Sequence, residues 1–492
     1  MLAISCLLLA GLAGHPTAYA AGAKTLDSTL GFSDCSIGNG AAKLVAQCTT
    51  LSVPLNPEAA DSGSLALSIA RIPARRQSAS TDAFTLLAGG PGQSAIESFP
   101  AVAFAFRHIM QDHDVILVDQ RGTGDSSPLS CPQADDSLGI EFDDDTQVLE
   151  DAAQACLEQL AHDPRLFTSS LAVRDLEHVR EALGVSQWNL YGISYGTRVA
   201  LHYLRRYPDK VRTLILDAVV PPTMALGPDI APLAQRSLDI IIQRCEDSSG
   251  CFEAFGNLRT ATSELLASLK RQPRNITYED VASGKLRTME FTWQHLAVTL
   301  RLLSYSSQTA SILPSMLHEA IANDNFAPLA RQAMLQTQTL GNSLATGMHH
   351  AVICTEDAPF IANDAGKPDE AADSYMGNQV VSSLLATCKH WPAGIMDEDF
   401  RQAVQSDVPA LILSGEADPI TPPGYGDEVA ASLNQSRHLV NRDQGHMQAP
   451  YGCMPVLLAQ FVNTADAQAL DTSCLERQRV LPFFVDANGP LP

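Results

Sequence analysis

The segment WNLYGISYGTRVALHYLRRYP (188–208) constrains the fold more than any other. Its start is a short apolar run of strand type. Its second half has helical spacing and stops at Pro208, which cannot continue a helix. Between the two, Gly192-Ile193-Ser194-Tyr195-Gly196 must turn the chain sharply. Glycines on both sides of Ser194 permit that turn, because a Cβ at either position would crowd it. The pentapeptide alone arises by chance, and a plain Gly-rich strand–helix turn is the ordinary reading of it. The strand before and the helix after give it the context of a nucleophile held up on a strained backbone, with a helix N-terminus behind it.

The rest of the chain repeats that alternation. LALSIARIPA (65–74), AFTLLAGG (83–90), DVILVDQRG (114–122), VRTLILDAVVPP (211–222), VPALILSGEADPITPP (408–423) and SRHLVNRDQGH (436–446) are apolar runs that end in turn residues. VRDLEHVREALG (173–184) has helical spacing and stops at a glycine. Continuous apolar strands alternating with helices predict an α/β fold, a mostly parallel sheet flanked by helices. From 222 to 405 the pattern changes to long helical stretches with few strand signals, beginning at Pro221-Pro222. A large helical cap inserted between sheet strands is expected there, over the crevice where ligands bind. The expected divisions are 1–20, a signal peptide; 21–221, the first part of the core; 222–405, the cap; and 406–492, the second part of the core.

The signal-peptide expectation rests on an apolar run through residue 14 followed by Ala18-Tyr19-Ala20, a small-residue cleavage pattern. No Lys or Arg precedes the run, which leaves the true start codon open. A secreted or periplasmic location follows. Beyond Cys6 there are ten cysteines, at 35, 48, 131, 156, 245, 251, 354, 388, 453 and 474. In an oxidising compartment an even number suggests disulfides, with free buried thiols as the alternative. Connectivity is not determined by spacing, but the economical arrangement joins neighbours: Cys35–Cys48, Cys131–Cys156, Cys245–Cys251, Cys354–Cys388 and Cys453–Cys474. The C-x-x-C and H-E-x-x-H patterns of zinc sites do not occur, so no metal and no cofactor is expected. With 55 Asp+Glu against 32 Lys+Arg the formal charge is −23, and no basic cluster offers a phosphate-tracking surface. Nucleic acid is therefore excluded as an expected partner. No apolar stretch is long enough to predict a membrane span, and the oligomeric state is not legible.

A serine hydroxyl needs a base. In α/β-hydrolases the partners follow in the order serine, acid, histidine. Asp418 follows one late apolar strand and His446 follows the next. The expected triad is Ser194 as nucleophile, His446 as base and Asp418 orienting the imidazole. Glu416, Asp443 and Asp217 are rival acids, and Asp217 closes an earlier strand. The remaining histidines, including the pair at 349–350, read as solvated or core residues. An oxyanion hole needs two backbone N–H groups. Tyr195, after the nucleophile, supplies one, and Gly90 in LLAGGPGQS (86–94) is the expected second.

These motifs together resemble the tripeptidyl aminopeptidase and proline iminopeptidase branch of the α/β-hydrolases. The matching residues are GGPG, DQRGTGDS (119–126), GISYGT, SGEADPITP and GH, in the family's order across most of the mature chain. Tyr195 in place of a tryptophan, LSVPLNP, and the segment GCMPVLLAQFVNTADAQALDTSC resemble the tripeptidyl aminopeptidase side. There the tail is Cys-bounded, which the resemblance carries over to Cys453–Cys474. Ala88 departs from the histidine of the smaller relatives and leaves substrate preference open. The resemblance implies an exported serine exopeptidase acting on a peptide substrate, releasing short, tripeptide-like or proline-containing N-terminal fragments. It also implies cap acids for the free α-ammonium, and AVICTEDAP (351–359) offers Glu356 and Asp357. A solvated acidic turn is the ordinary alternative for that pair. Arg121 and Asp125 are expected to brace their own loop. A carboxylesterase with the same triad and no need of a free amine is the competing function.

Overall fold

A computed structural model describes residues 30–59, 61–76, 81–131, 146–361, 371, 373–486 and 488–490. The expected signal peptide lies outside the described residues. Nine strands form one sheet: β1 (Ser33–Ile37), β2 (Leu44–Pro54), β3 (Ser64–Ile72), β4 (Ala83–Leu87), β5 (Val115–Val118), β6 (Trp188–Ile193), β7 (Val211–Asp217), β10 (Ala410–Gly415) and β11 (Ser436–Asn441). Two more, β8 (Arg274–Glu279) and β9 (Leu286–Phe291), make a separate hairpin. The large sheet runs β1-β2-β3-β5-β4-β6-β7-β10-β11. The pairs from β5 to β11 are parallel, and β1, β2 and β3 join as an antiparallel edge.

Burial explains the two strand patterns. β5 and β10 are buried at every position, so their sequences VILV and ALILSG read as unbroken apolar runs. β2 and β3 sit at the solvated edge and alternate more, which makes β2 poorly visible in the sequence. Separate apolar clusters cover the two faces of the sheet. One centres on Leu67, Val179, Leu190 and Leu214, the other on Phe84, Phe106, Tyr191 and Phe461.

Between β7 and β10 the chain is largely helical, with helices such as Ile230–Glu246, Leu258–Arg271, Trp293–Leu303, Ala327–Ser343 and Thr346–Glu356. Leu238, Leu265, Leu296, Leu300, Leu317 and Leu329 form an apolar cluster of their own in this insertion. Each fully buried leucine contributes about 1.5–3 kcal/mol. The β8–β9 hairpin was not expected within it. Apart from Tyr278 and Phe291 its residues are exposed or half-buried, so no apolar run marks it. Five disulfides join Cys35–Cys48, Cys131–Cys156, Cys245–Cys251, Cys354–Cys388 and Cys453–Cys474. No helix among the described residues is long and apolar enough to cross a membrane.

Candidate active site

The site assembles at the carboxyl ends of the parallel strands, where an open α/β sheet presents its loops. β6 runs directly into the helix Tyr195–Arg206, and Ser194 sits between them at φ 54°, ψ −126°. A non-glycine residue in that region costs on the order of 1–3 kcal/mol and persists only where its surroundings hold it. Here they do. Ser194 N donates to the Asp217 carbonyl at 3.0 Å, and its own carbonyl accepts from Thr197 N at 2.9 Å and Thr197 Oγ1 at 2.6 Å. The flanking glycines are steric necessities. A Cβ on Gly192 would lie 2.6 Å from the Gly196 carbonyl oxygen, and one on Gly196 would overlap the Leu87 carbonyl.

Asp418 follows β10 and His446 follows β11, adjacent parallel strands. His446 Nδ1 lies 2.8 Å from Asp418 Oδ2. The carboxylate is buried and held by Ile420 N and Thr421 N, each at 2.9 Å, and by Thr421 Oγ1 at 2.7 Å. Burial works against a charged imidazole, yet the charge and hydrogen bond of Asp418 override it and hold the His446 pKa above its ordinary value. The arrangement commits Nδ1 to the acid. Two of the three rival acids are engaged elsewhere. Glu416 accepts from Asp443 N at 3.1 Å, and Asp217 accepts from the backbone behind His446.

The Gly-rich loop after β4 emerges beside the elbow because Leu87 and Gly192 are register partners. A Cβ on Gly89 would stand 3.3 Å from Ser194 Cβ. Gly90 adopts φ 109° and Gly92 φ 108°, open to glycine and strained for any other residue. Tyr195 is the first residue of its helix, where N–H groups have no intrahelical acceptor. Of the loop glycines, Gly89 is the one shown beside Ser194, and Gly90 follows it against Leu344. Asp119 braces the far side of the loop, accepting from Ser94 Oγ at 2.6 Å and Ile96 N at 3.0 Å. Burial pushes its pKa up to about 6 against those hydrogen bonds.

Glu356 and Asp357 are 0% and 1% exposed, which contradicts the alternative of a solvated acidic turn. Asp357 Oδ1 pairs with Arg198 at 2.9 Å and accepts from Leu226 N at 2.8 Å. Glu356 accepts from Ser169 N at 2.8 Å and Ser169 Oγ at 2.9 Å, and Ser169 Oγ meets the Tyr195 hydroxyl at 2.6 Å. Burial raises the Glu356 pKa to about 7 despite Arg198 and Ser169. Both acids therefore support the helix that begins at Tyr195 from beneath. Arg121 is buried on Asp175 at 2.6 and 2.7 Å and on the Leu166 carbonyl, a brace as expected, whereas the Asp125 side chain is exposed.

Sequence reasoning missed three residues of the insertion and its surroundings. His349, read as a solvated or core residue, is half-buried and donates from Nδ1 to the Pro91 carbonyl at 3.0 Å, while Ala345 N donates to the Gly92 carbonyl at 2.9 Å. His350 packs edge-on against Trp391. Tyr305 accepts from His446 N at 2.8 Å through its carbonyl and packs its ring edge-on against the imidazole at 5.2 Å. No motif marks these residues, because each acts through a contact distant in sequence.

Fold and site define a serine hydrolase built on the α/β-hydrolase sheet. The α/β hydrolase fold family model matches residues 82–244 and the TAP-like protein model matches residues 373–474, in line with the α/β-hydrolase fold of the sheet. It is 29% identical to a tripeptidyl aminopeptidase of Streptomyces coelicolor over 487 residues, covering 92% of this chain and 87% of that one. It is 24% identical to the serine protease Hip1 of Mycobacterium tuberculosis over 436 residues, 80% of each chain. A carboxylesterase B of the same organism is 26% identical over 419 residues, 79% of this chain and 78% of that one.

Proposed function

We propose that this chain is an exported serine aminopeptidase that releases short, tripeptide-like or proline-containing fragments from free peptide N-termini. Ser194 Oγ attacks the scissile carbonyl and passes its proton to His446 Nε2, while Asp418 stabilises the imidazolium. The N–H groups of Gly90 and Tyr195 receive the developing oxyanion. His446 then protonates the leaving amine as the C–N bond breaks, and water hydrolyses the acyl-enzyme with the same histidine as base. The insertion, 222–405, caps the site and limits the length of peptide admitted. The observation that carries the reading is the 2.8 Å His446–Asp418 contact, which leaves Nε2 for the serine proton. The relative named a tripeptidyl aminopeptidase supports the peptide class. Five disulfides suit an oxidising compartment and support export.

Ester hydrolysis is the second reading, favoured by one observation: Glu356 and Asp357 are buried and already hold Ser169 and Leu226. The deciding experiment compares tripeptidyl anilides with free and N-acetylated termini against short acyl p-nitrophenyl esters. Turnover of the free-amine anilide that is abolished by N-acetylation is the expected result. Undiminished turnover of the acetylated peptide, or turnover of esters alone, overturns the exopeptidase.

A further inference from the structure

Asp217 has no role in the triad, yet it touches both halves of the site. It ends β7, between β6, which carries Ser194, and β10, which carries Asp418. Its backbone carbonyl accepts from Ser194 N at 3.0 Å. Its carboxylate accepts from Gln448 N at 2.8 and 2.9 Å and from Ala449 N at 2.9 Å. The remaining donor is the Tyr191 hydroxyl at 2.8 Å. The side chain is wholly buried, so each of these bonds works in a low dielectric without competition from water.

The loop that carries His446 is shaped to meet this carboxylate. Met447 takes a left-handed φ of 68°, and the N–H groups of the next two residues converge on Asp217. The Gln448 side chain closes the loop on itself, donating to the Gly445 carbonyl at 2.7 Å and accepting from Asn441 at 3.0 Å. Two N–H groups converging on one buried anion form a cradle that an uncharged group fills poorly.

We propose that Asp217 is a positioning residue for the hydrolase reaction, holding Ser194 through its carbonyl and the His446 loop through its carboxylate, and so setting the distance at which base meets nucleophile. The proposal rests on the serine-hydrolase reading of the site. It assigns Asp217 no contact with substrate. The charged groups facing His446 are Asp418 from the loop after β10, Asp217 from β7 and Arg301 from the helix Trp293–Leu303, while Tyr191 and Tyr451 face Asp217.

The test uses the full chain, a p-nitrophenyl ester as substrate and a fluorophosphonate to count reactive sites. Asp217→Asn keeps the size but removes the charge. The expected result is a kcat per reactive site about 10²-fold lower with KM unchanged, the scale of loss from small misplacement of a catalytic group. The acid limb of kcat/KM should also move to lower pH, because His446 loses a neighbouring negative charge. A merely structural residue would reduce the count of reactive sites and leave kcat per site and the pH limb in place, and that outcome overturns the proposal. If Asp217→Asn does not fold, Tyr191→Phe carries the test by removing one donor from the same carboxylate. Its acid limb should move to lower pH, the direction of Asp217→Asn, since an Asp217 that takes up a proton sooner presents less negative charge to His446, and an unmoved limb overturns the proposal. Failure of wild type to label at Ser194 would instead overturn the serine-hydrolase reading itself.

Discussion

Arg198 and Asp357 form an ion pair at 2.9 Å with both side chains almost wholly buried. Arg198 belongs to the helix that begins behind Ser194, and Asp357 ends the insertion helix Thr346–Glu356. The pair therefore fastens the insertion to the underside of the elbow. Arg198 also donates to the Met224 carbonyl at 3.0 Å, so the start of the insertion is tied at the same point.

Removing one partner leaves a buried, uncompensated charge. Asp357→Ala should cost about 3–5 kcal/mol in denaturant unfolding, while the apolar double variant Arg198→Met/Asp357→Leu should recover most of it. A single variant within 1 kcal/mol of wild type, on the order of a surface pair, would contradict the buried-pair account.

Asp418→Asn should lower kcat by about 10⁴-fold with little change in KM, because the imidazole loses its orienting charge. In wild type the reaction needs neutral His446, whose pKa lies above the ordinary 6.5. Activity should therefore fall as pH drops through a midpoint above 6.5, and the midpoint of the residual activity in Asp418→Asn should lie lower. Stopped assays across pH 5 to 9 would read both, with Asp418→Asn at near-wild-type rate as the refuting outcome.

Glu356 gives a stability signature. Its folded pKa is raised from 4.5 to about 7, chiefly by burial, so between these values the folded state holds more protons than the unfolded chain. The contribution to stability is full below 4.5 and declines as pH rises through about 7. Across that window the loss amounts to about 3 kcal/mol. Glu356→Gln should abolish this slope, which unfolding titrations at several pH values would reveal as a difference between the two proteins. Parallel pH curves for wild type and variant would refute it.

Gly196→Ala should disable the elbow. The added methyl would overlap the Leu87 carbonyl at the end of the neighbouring strand, and backbone cannot yield there without moving β4. Fluorophosphonate labelling of the folded variant should fall at least about 10²-fold, the cost of misplacing a reacting atom. Near-normal labelling would show that the turn has more room than these contacts allow.

Much of this was legible in the sequence. Strands β4, β5, β6, β7 and β10 are buried on both faces, and such strands announce themselves as apolar runs. Ser194 was legible because a sharp strand-to-helix turn demands glycine at fixed positions. The β8–β9 hairpin was not, since its exposed strands carry no apolar signal. The burial of Glu356 and Asp357 was not legible either, because an acidic dipeptide reads as surface and only packing shows Ser169 and Arg198 beside it.

The sequence by itself determined the sheet's central strands, the elbow and the order in which Ser194, Asp418 and His446 reach the ends of their strands. These follow from local sterics and from apolar periodicity, which act over a few residues. The tertiary structure alone decided which polar groups meet across more than a hundred residues: Asp217 with Gln448, His349 with Pro91, Tyr305 with His446. Such contacts leave no local trace, because each partner is an ordinary residue until the fold removes water from around the pair.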